Sequence, residues 1–245
     1  MIKTPTIMKQ NPLIMAEFEK AFSEVDHDVV NILLHSLQNE LKLDGDSINL
    51  FNYEAIKNRE VLIAASTFKT LGKFGVNSNA EIAESLKKIS DTSAWVKNFT
   101  DSDGNFTKAK NIRIIDNVTW YKEGMLSDGR EQSFKVQFNE WFLKISTKDF
   151  NIEVGNFTNL QINDIASIKS KHAKKLYEIL LAKRYRETTF SIKLQDLQNI
   201  FNLQDKPISY FTKIFKQIRP KIVPFIDFKY TVHKEDKIIS FEYLK

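Results

Sequence analysis

Residues 209–245 read SYFTKIFKQIRPKIVPFIDFKYTVHKEDKIISFEYLK, and the order of elements in this stretch decides the fold. Phe211, Ile214, Phe215, Ile218 and Ile222 fall within about 100° of arc on a helical wheel, the spacing of one buried helix face. Ser209, Lys213, Lys216 and Gln217 fall on the opposite side, with Thr212 and Arg219 on the flanks. Pro220 cannot donate a helical hydrogen bond and disfavours helix in the residue before it, so the spacing predicts an end or a kink near Arg219. Beyond it the period changes from 3.6 to 2. Phe228, Tyr230 and Val232 alternate, Ile239, Phe241 and Tyr243 alternate again, and HKEDK lies between them as the turn of a β-hairpin.

Working upstream, KLQDLQNIFNL turns Leu194, Leu197 and Ile200 to one side, FSI reads as a short strand, and Lys171 to Glu187 is predicted helical. Helix, strand, helix, helix, hairpin is the order of a winged helix. The first half gives the same order less compactly. A helix from about Ser23 to Lys42 carries Val30, Leu33, Leu34, Leu37 and Leu41 as its stripe, and INLFNY follows as a short strand. ASTFKTLGKFG and AEIAESLKKI then read as helices, with Ser78 and Glu81 at the spacing of a capping box. After the polar TDSDGNFTKAKN, NIRIIDNVTWYKE and SFKVQFNEWF alternate as a hairpin joined through GMLSDGREQ. The sequence therefore predicts an α+β fold of two tandem winged-helix domains, 1–150 and 151–245, divided near STKDFNIEVGNFTN.

Composition narrows the function. The chain has 245 residues, 42% of them hydrophobic, and 19 Phe, which is ample for a core. No apolar run approaches the roughly 20 residues of a membrane span, and no signal peptide is read at the start. No cysteine is present, so disulfides, thiolate metal sites and thiol nucleophiles are excluded together. That fits a cytoplasmic protein with no membrane partner. The net charge is +5 and unevenly spread: residues 1–160 hold 19 Lys+Arg against 22 Asp+Glu, residues 161–245 hold 17 against 9. A basic half beside a near-neutral one suggests a polyanionic partner for the basic half.

Residues 209–221 contain four cations and no acid. A lone lysine-rich helix is commonly just solvated, but in a helix-turn-helix the outer face of the second helix meets the major groove. Lys213 and Lys216 then suit phosphates or guanine edges, Gln217 an adenine, and Arg219 a guanine or a phosphate. Ser209 and Thr212 border the same face, and His233, Lys234 and Lys237 tip the wing. KSKHAKK places Lys169, Lys171, Lys174 and Lys175 at a helix N-terminus, against the macrodipole, where a phosphate would suit them. The counterpart helix of the first half mixes Glu84 with Lys87 and Lys88, a weak case for reading bases.

No catalytic constellation is legible. His27, His35, His172 and His233 are scattered without metal-ligand spacing, and HExxH is absent. Gly72-Lys73 is not a P-loop, because Thr67 occupies the position of its first glycine. Asp26/Asp28 and Glu17/Glu19 do not share a helix face. No metal, cofactor or enzymatic activity is expected.

FTNLQINDIASIKSKHAKKLYEILLAKRY resembles the signature of iteron-binding plasmid replication initiators, the theta-type Rep proteins, carried here by Ser170, Lys171, Ala173, Leu176, Tyr177 and Glu178. KQNPLIMAEF is similar to the segment leading into that family's first helix. The chain departs from many relatives in having six arginines and in the pair Pro220 and Pro224. The resemblance implies a non-enzymatic protein that binds repeated origin sites as a monomer, helps open the origin and recruits the host initiator and replicative helicase. It also implies a dimer, joined through the first domain, that represses its own gene. A plain transcriptional regulator or partition protein would use the same folds, and a scaffold binding acidic partners would use the same charge.

Overall fold

The computed structural model describes residues 5–40, 60–75, 78–100, 106–122, 132–146, 157–184 and 187–244. Strand β1 (Thr6–Gln10), the one-turn helix α1 (Asn11–Ile14) and the short β2 (Glu17–Phe18) come first. There follow α2 (Glu24–Glu40), β3 (Glu60–Ala64), α3 (Ala65–Gly72) and α4 (Asn79–Ser90). Two hairpins come next, β4 (Ser93–Thr100) with β5 (Phe106–Arg113) and β6 (Ile115–Tyr121) with β7 (Ser133–Phe138), and then α5 (Glu140–Ser146). The second half comprises β8 (Phe157–Gln161), α6 (Ile162–Ser167), α7 (Lys171–Arg184), β9 (Thr189–Lys193), α8 (Leu194–Phe201), α9 (Ile208–Ile222), β10 (Phe228–His233) and β11 (Ile238–Tyr243).

The two halves repeat one topology. In the second, β9 before the helix pair joins the last strand of the hairpin, giving the sheet order β10-β11-β9. In the first, β3 joins β7 in the order β3-β7-β6. That pairing closes the helix pair against the sheet and is the winged-helix arrangement. The stripes read from the sequence are the buried ones: Leu33, Leu34 and Leu37 on α2, and Phe211, Ile214, Phe215, Ile218 and Ile222 on α9. Phe215 lies edge-on to Phe241 at 5.7 Å and to Tyr230 at 5.3 Å, seating α9 on its sheet.

Several local expectations are corrected. α9 runs through Pro220 to Ile222. The proline sits in the last turn and forfeits the bond its N–H would make to the Lys216 carbonyl, while buried Ile222 and the bond from Val223 N–H to the Arg219 carbonyl (3.0 Å) hold that turn. Ser78 does not cap α4, since its hydroxyl donates to the Gly75 carbonyl at 2.7 Å. The reciprocal cap is at α2, where Ser23 Oγ accepts from Asp26 N–H (3.2 Å) and the Asp26 carboxylate accepts from Ser23 N–H (2.7 Å). Part of the polar TDSDGNFTKAKN is strand β5, paired with β4, and β4–β5 with β2 forms a sheet inserted into the first half. SFKVQFNEWF is not strand throughout: Asn139 Oδ1 accepts from Trp141 N–H at 3.0 Å and starts α5. INLFNY, most of GMLSDGREQ and the expected boundary near residue 150 lie outside the described residues.

The halves are joined across that boundary. β1 pairs antiparallel with β8, Thr6 opposite Gln161 through Gln10 opposite Phe157. Beneath this pair lies a cluster of charges with almost no solvent contact. Lys9 Nζ donates to both oxygens of Glu178 at 2.9 Å and to Asn31 Oδ1 at 3.0 Å, and Asn31 Nδ2 donates to Glu178 Oε1 at 3.1 Å. Lys174 Nζ donates to Asp28 Oδ1 and to the Ile165 carbonyl. Glu178 and Lys174 are both 0% exposed. Burial alone would raise Glu178, but Lys9 and Lys175 outweigh it and hold its carboxyl at about 2. Burial pushes His27 down to about 3, so its ring is neutral, and raises Asp28 to about 6 against the pull of Lys174.

Glu178→Gln leaves Lys9 buried without a counter-ion, and breaking a buried pair in this way costs about 3–5 kcal/mol. Urea unfolding should show that loss, with much of it recovered in Lys9→Met/Glu178→Leu; a loss below about 1 kcal/mol would mean that the pair is solvent-screened. Lys175 tests the cluster by pH. Burial pushes its ammonium down to about 7 from 10.5, so between these values the unfolded chain binds more protons than the folded one and stability rises with pH. From pH 7 to 9 that rise should be about 2 kcal/mol and should be missing in Lys175→Met. An equal rise in both proteins would contradict the assignment.

Candidate nucleic-acid interface

The acid-free outer face of α9 is built by the same periodicity that buries its inner face. Ser209, Thr212, Lys213, Lys216 and Gln217 are all exposed, and α9 has no Asp or Glu along its length. Among the described residues no acceptor is within bonding distance of the Lys213 or Lys216 ammonium, and the Thr212 hydroxyl is only 3.4 Å from the Ile208 carbonyl. Apart from Thr212, this face is a row of donors and acceptors with no bonding partner among the described residues, on a helix about 22 Å long.

Further cations stand at both ends of α9. At its N-terminal end a cleft of about 630 Å³ opens between the start of α8, the α8–α9 turn and the wing turn, and Lys193, Lys206, Lys234 and Lys237 line it. Gln195 and Gln198 supply amides to the same walls, while Asp205 and Asp236 temper the charge. The wing is tied to the helix pair there by Leu194 N–H donating to the Lys237 carbonyl at 2.8 Å, and Lys237 takes a left-handed conformation with φ of 52°. At the C-terminal end Lys221 Nζ donates to the Lys169 carbonyl at 2.8 Å, which sets the α6–α7 loop beside α9. Lys169 is exposed and Lys171 half-buried.

The structure thus brings together Ser209, Thr212, Lys213, Lys216, Gln217, Lys234 and Lys237 around one side of the second half, with Lys169 and Lys171 beyond the far end of α9. Two expectations are corrected. Lys174 and Lys175 do not reach solvent: α7 turns both inward, Lys174 onto Asp28 and Lys175 over the Phe18 ring at 5.5 Å, so they serve the junction and not a phosphate. Arg219 is committed within the chain, with Nε donating to the Phe228 carbonyl at 2.8 Å and its terminal nitrogen pairing with Asp227 at 3.0 Å. It pins the foot of α9 to β10. His233 is exposed but contacts Ser240 Oγ at 3.0 Å across the hairpin.

Sequence reasoning missed Lys193, Lys206 and Tyr210. Lys206 Nζ lies 5.5 Å from the Tyr210 ring centroid, and Tyr210 is 37% exposed at the first turn of α9. Their signal was available: all three flank the predicted helix pair, where a turn must pass close to whatever the second helix meets. On the first half, exposed Glu81 and Glu84 share the outer side of α4 with Lys87, the mixed face expected there. Among the described residues no group of His, Asp or Glu is placed to hold a metal ion, and no helix is long and apolar enough to cross a membrane.

Solved structures similar to this chain include the Pi initiator protein in complex with iteron DNA, at 12% identity and a TM-score of 0.60 over 99% of this chain and 98% of that one. Domains 2 and 3 of RctB match at 10% identity and a TM-score of 0.50, over 90% of this chain and 82% of that one. At such identities the likeness is one of fold. No curated protein matches the sequence. Residues 6–181 match the family described as initiator replication protein, WH1. With that match over most of its length, the chain belongs to the initiator replication protein family.

Proposed function

We propose that this chain is a plasmid replication initiator that binds repeated duplex sites in an origin and acts by binding, without catalysis. The observation that carries the reading is the acid-free, unpaired outer face of α9 with cations beyond each end. In a winged helix this is the surface that enters the major groove while its surroundings meet the flanking phosphates. In this reading Gln217 and Ser209 face base edges, and Lys213, Lys216, Lys193, Lys206, Lys234, Lys237 and Lys169 meet phosphates. Residues 151–245 form the main DNA-binding domain and residues 1–150 the assembly domain, consistent with the mixed charge on α4.

The Pi protein, with which the chain shares its fold, was crystallised on iteron DNA. The reading extends that mode of binding to this chain, with monomers on repeats helping to open the origin and recruiting the host initiator and helicase in the cytoplasm. A dimer through the first half would repress the chain's own gene.

Salt titration of binding to origin DNA tests the assignment of side chains. Lys213→Ala should weaken binding and reduce the slope of log K against log salt by about 0.9, the share of one phosphate contact. Gln217→Ala should leave that slope unchanged and cost about 1–3 kcal/mol on the cognate repeat, by loss of a bidentate base contact. Lys174→Ala should alter folding stability and leave the slope alone. A slope that falls for Lys174→Ala and not for Lys213→Ala would reverse the proposed interface.

A further inference from the structure

Lys175 stands apart from the other charges of the junction. Lys9, Lys174, Asp28 and Glu178 all have hydrogen-bond partners there. No acceptor among the described residues is within bonding distance of Lys175 Nζ, although the residue is only 3% exposed. Glu178 attracts it from the next turn of α7, but the Glu178 oxygens are already bonded to Lys9 and Asn31. The Phe18 ring covers it, and stacks in turn on Phe22 at 4.2 Å. One turn earlier on α7, His172 is a second such case. Its ring stacks on Phe201 at 5.3 Å, and its buried Nε2 has no partner among the described residues.

Both side chains line the same cavity, of about 10 Å³, between the N-terminal end of α7, the end of α8 and the segment from β2 to α2. That is room for one water-sized particle. Phe18, Phe22 and Phe201 wall it, half-buried Lys171 and Asn202 join them, and the buried ring of His27 closes the α2 side. No carboxylate lines it. Buried polar atoms in native folds are almost always bonded, and an ammonium withdrawn from water needs a counter-charge as well as an acceptor. The occupant that meets both demands accepts from Lys175 and His172 at once, carries one negative charge and is a single atom across. Water accepts both bonds but leaves the charge unbalanced.

We propose that this cavity is a chloride site, in which Lys175 Nζ and the Nε2–H tautomer of His172 donate to one ion. Lys171 adds a further positive charge beside it. The ion bridges α7 and the end of α8 to the segment between β2 and α2, so both halves of the chain share it. Its binding follows the proton on Lys175. Burial, opposed by Glu178 and aided by Lys9, pushes that ammonium down to about 7. The two rings facing it stay neutral there, since burial pushes His27 down to about 3 and His172 to about 4. Chloride is therefore held at and below neutral pH and released as the pH rises and the ammonium loses its charge.

Thermal unfolding of the whole chain at constant ionic strength, with sodium chloride exchanged for sodium gluconate, tests the site, because gluconate is too large for the cavity. At pH 7 chloride should raise the melting temperature by about 2–4 °C, and at pH 9 the two salts should give the same value. Chloride should therefore flatten the rise in stability with pH that Lys175 causes. Lys175→Met should lose the response to chloride. So should His172→Phe, which keeps the stacking on Phe201 and fills the cavity, so that either variant can be read if the other fails to fold. Crystals soaked in bromide should show anomalous scattering between Lys175 and His172. Equal melting temperatures in the two salts at pH 7 mean that water fills the cavity, and the proposal fails. A chloride response that survives in a folded variant, or bromide bound only elsewhere, assigns the ion to another site and overturns the proposal as well.

Discussion

The buried bond between Lys9 and Glu178 ties α7, the helix against which α9 packs, to the first strand of the chain. α7 has two working sides. One packs Leu176, Tyr177 and Leu180 into the core on which α9 sits, and the other turns Lys174, Lys175 and Glu178 onto α2 and β1. α7, held by these ion pairs, is therefore one of the elements that set the orientation of α9 relative to the first half, beside the β1–β8 pair and the packing of α8 on β2. Such a cluster gives little net stability, since desolvating its members offsets most of their attraction. What it gives is geometry, because any arrangement that separates Lys9 from Glu178 leaves an unpaired charge in the core.

The rest of the architecture follows from that constraint. Asp26 extends the network, accepting from Ser85 Oγ and Lys88 Nζ of α4, both at 2.7 Å, while it caps α2. α2 is thus bonded on one side to α4 of its own half and on the other to α7 of the next. Lysines fall into two populations with opposite tasks. Lys9, Lys174 and Lys175 are structural and buried, whereas Lys213, Lys216, Lys193, Lys206, Lys234 and Lys237 are exposed around one face. Total charge cannot separate these populations, but burial does.

The fold was largely legible in the sequence because periodicity is a local signal. The stripe on α9, the alternation in β10 and β11 and the order of elements follow from short windows, and two copies of that order recur in the structure. The outer face of α9 was legible for the same reason, as the complement of a buried stripe. Lys174 and Lys175 were not, because α7 is apolar or buried on more of its circumference than one stripe. The acceptor of Lys174, Asp28 on α2, is identified as a partner only once α2 lies against α7, and Lys175 is covered only when the Phe18 ring closes over it. Arg219 was misread for a similar reason: its partners, Asp227 and the Phe228 carbonyl, come within reach only when β10 folds back along α9. The two stretches that carry the family resemblance prove to touch, since Lys9 opens KQNPLIMAEF and Glu178 closes the SKHAKKLYE run. The motif marks the junction more than the DNA surface.

In the proposed function the exposed face of α9 recognises repeated duplex sites. Footprinting on the DNA flanking the chain's own gene tests it most directly. The expected result is a series of protected direct repeats, regularly spaced, whose protection disappears together when Lys213 and Lys216 are both replaced by alanine. Protection of a single palindrome, protection unaffected by that double substitution, or no protection at low salt would contradict it.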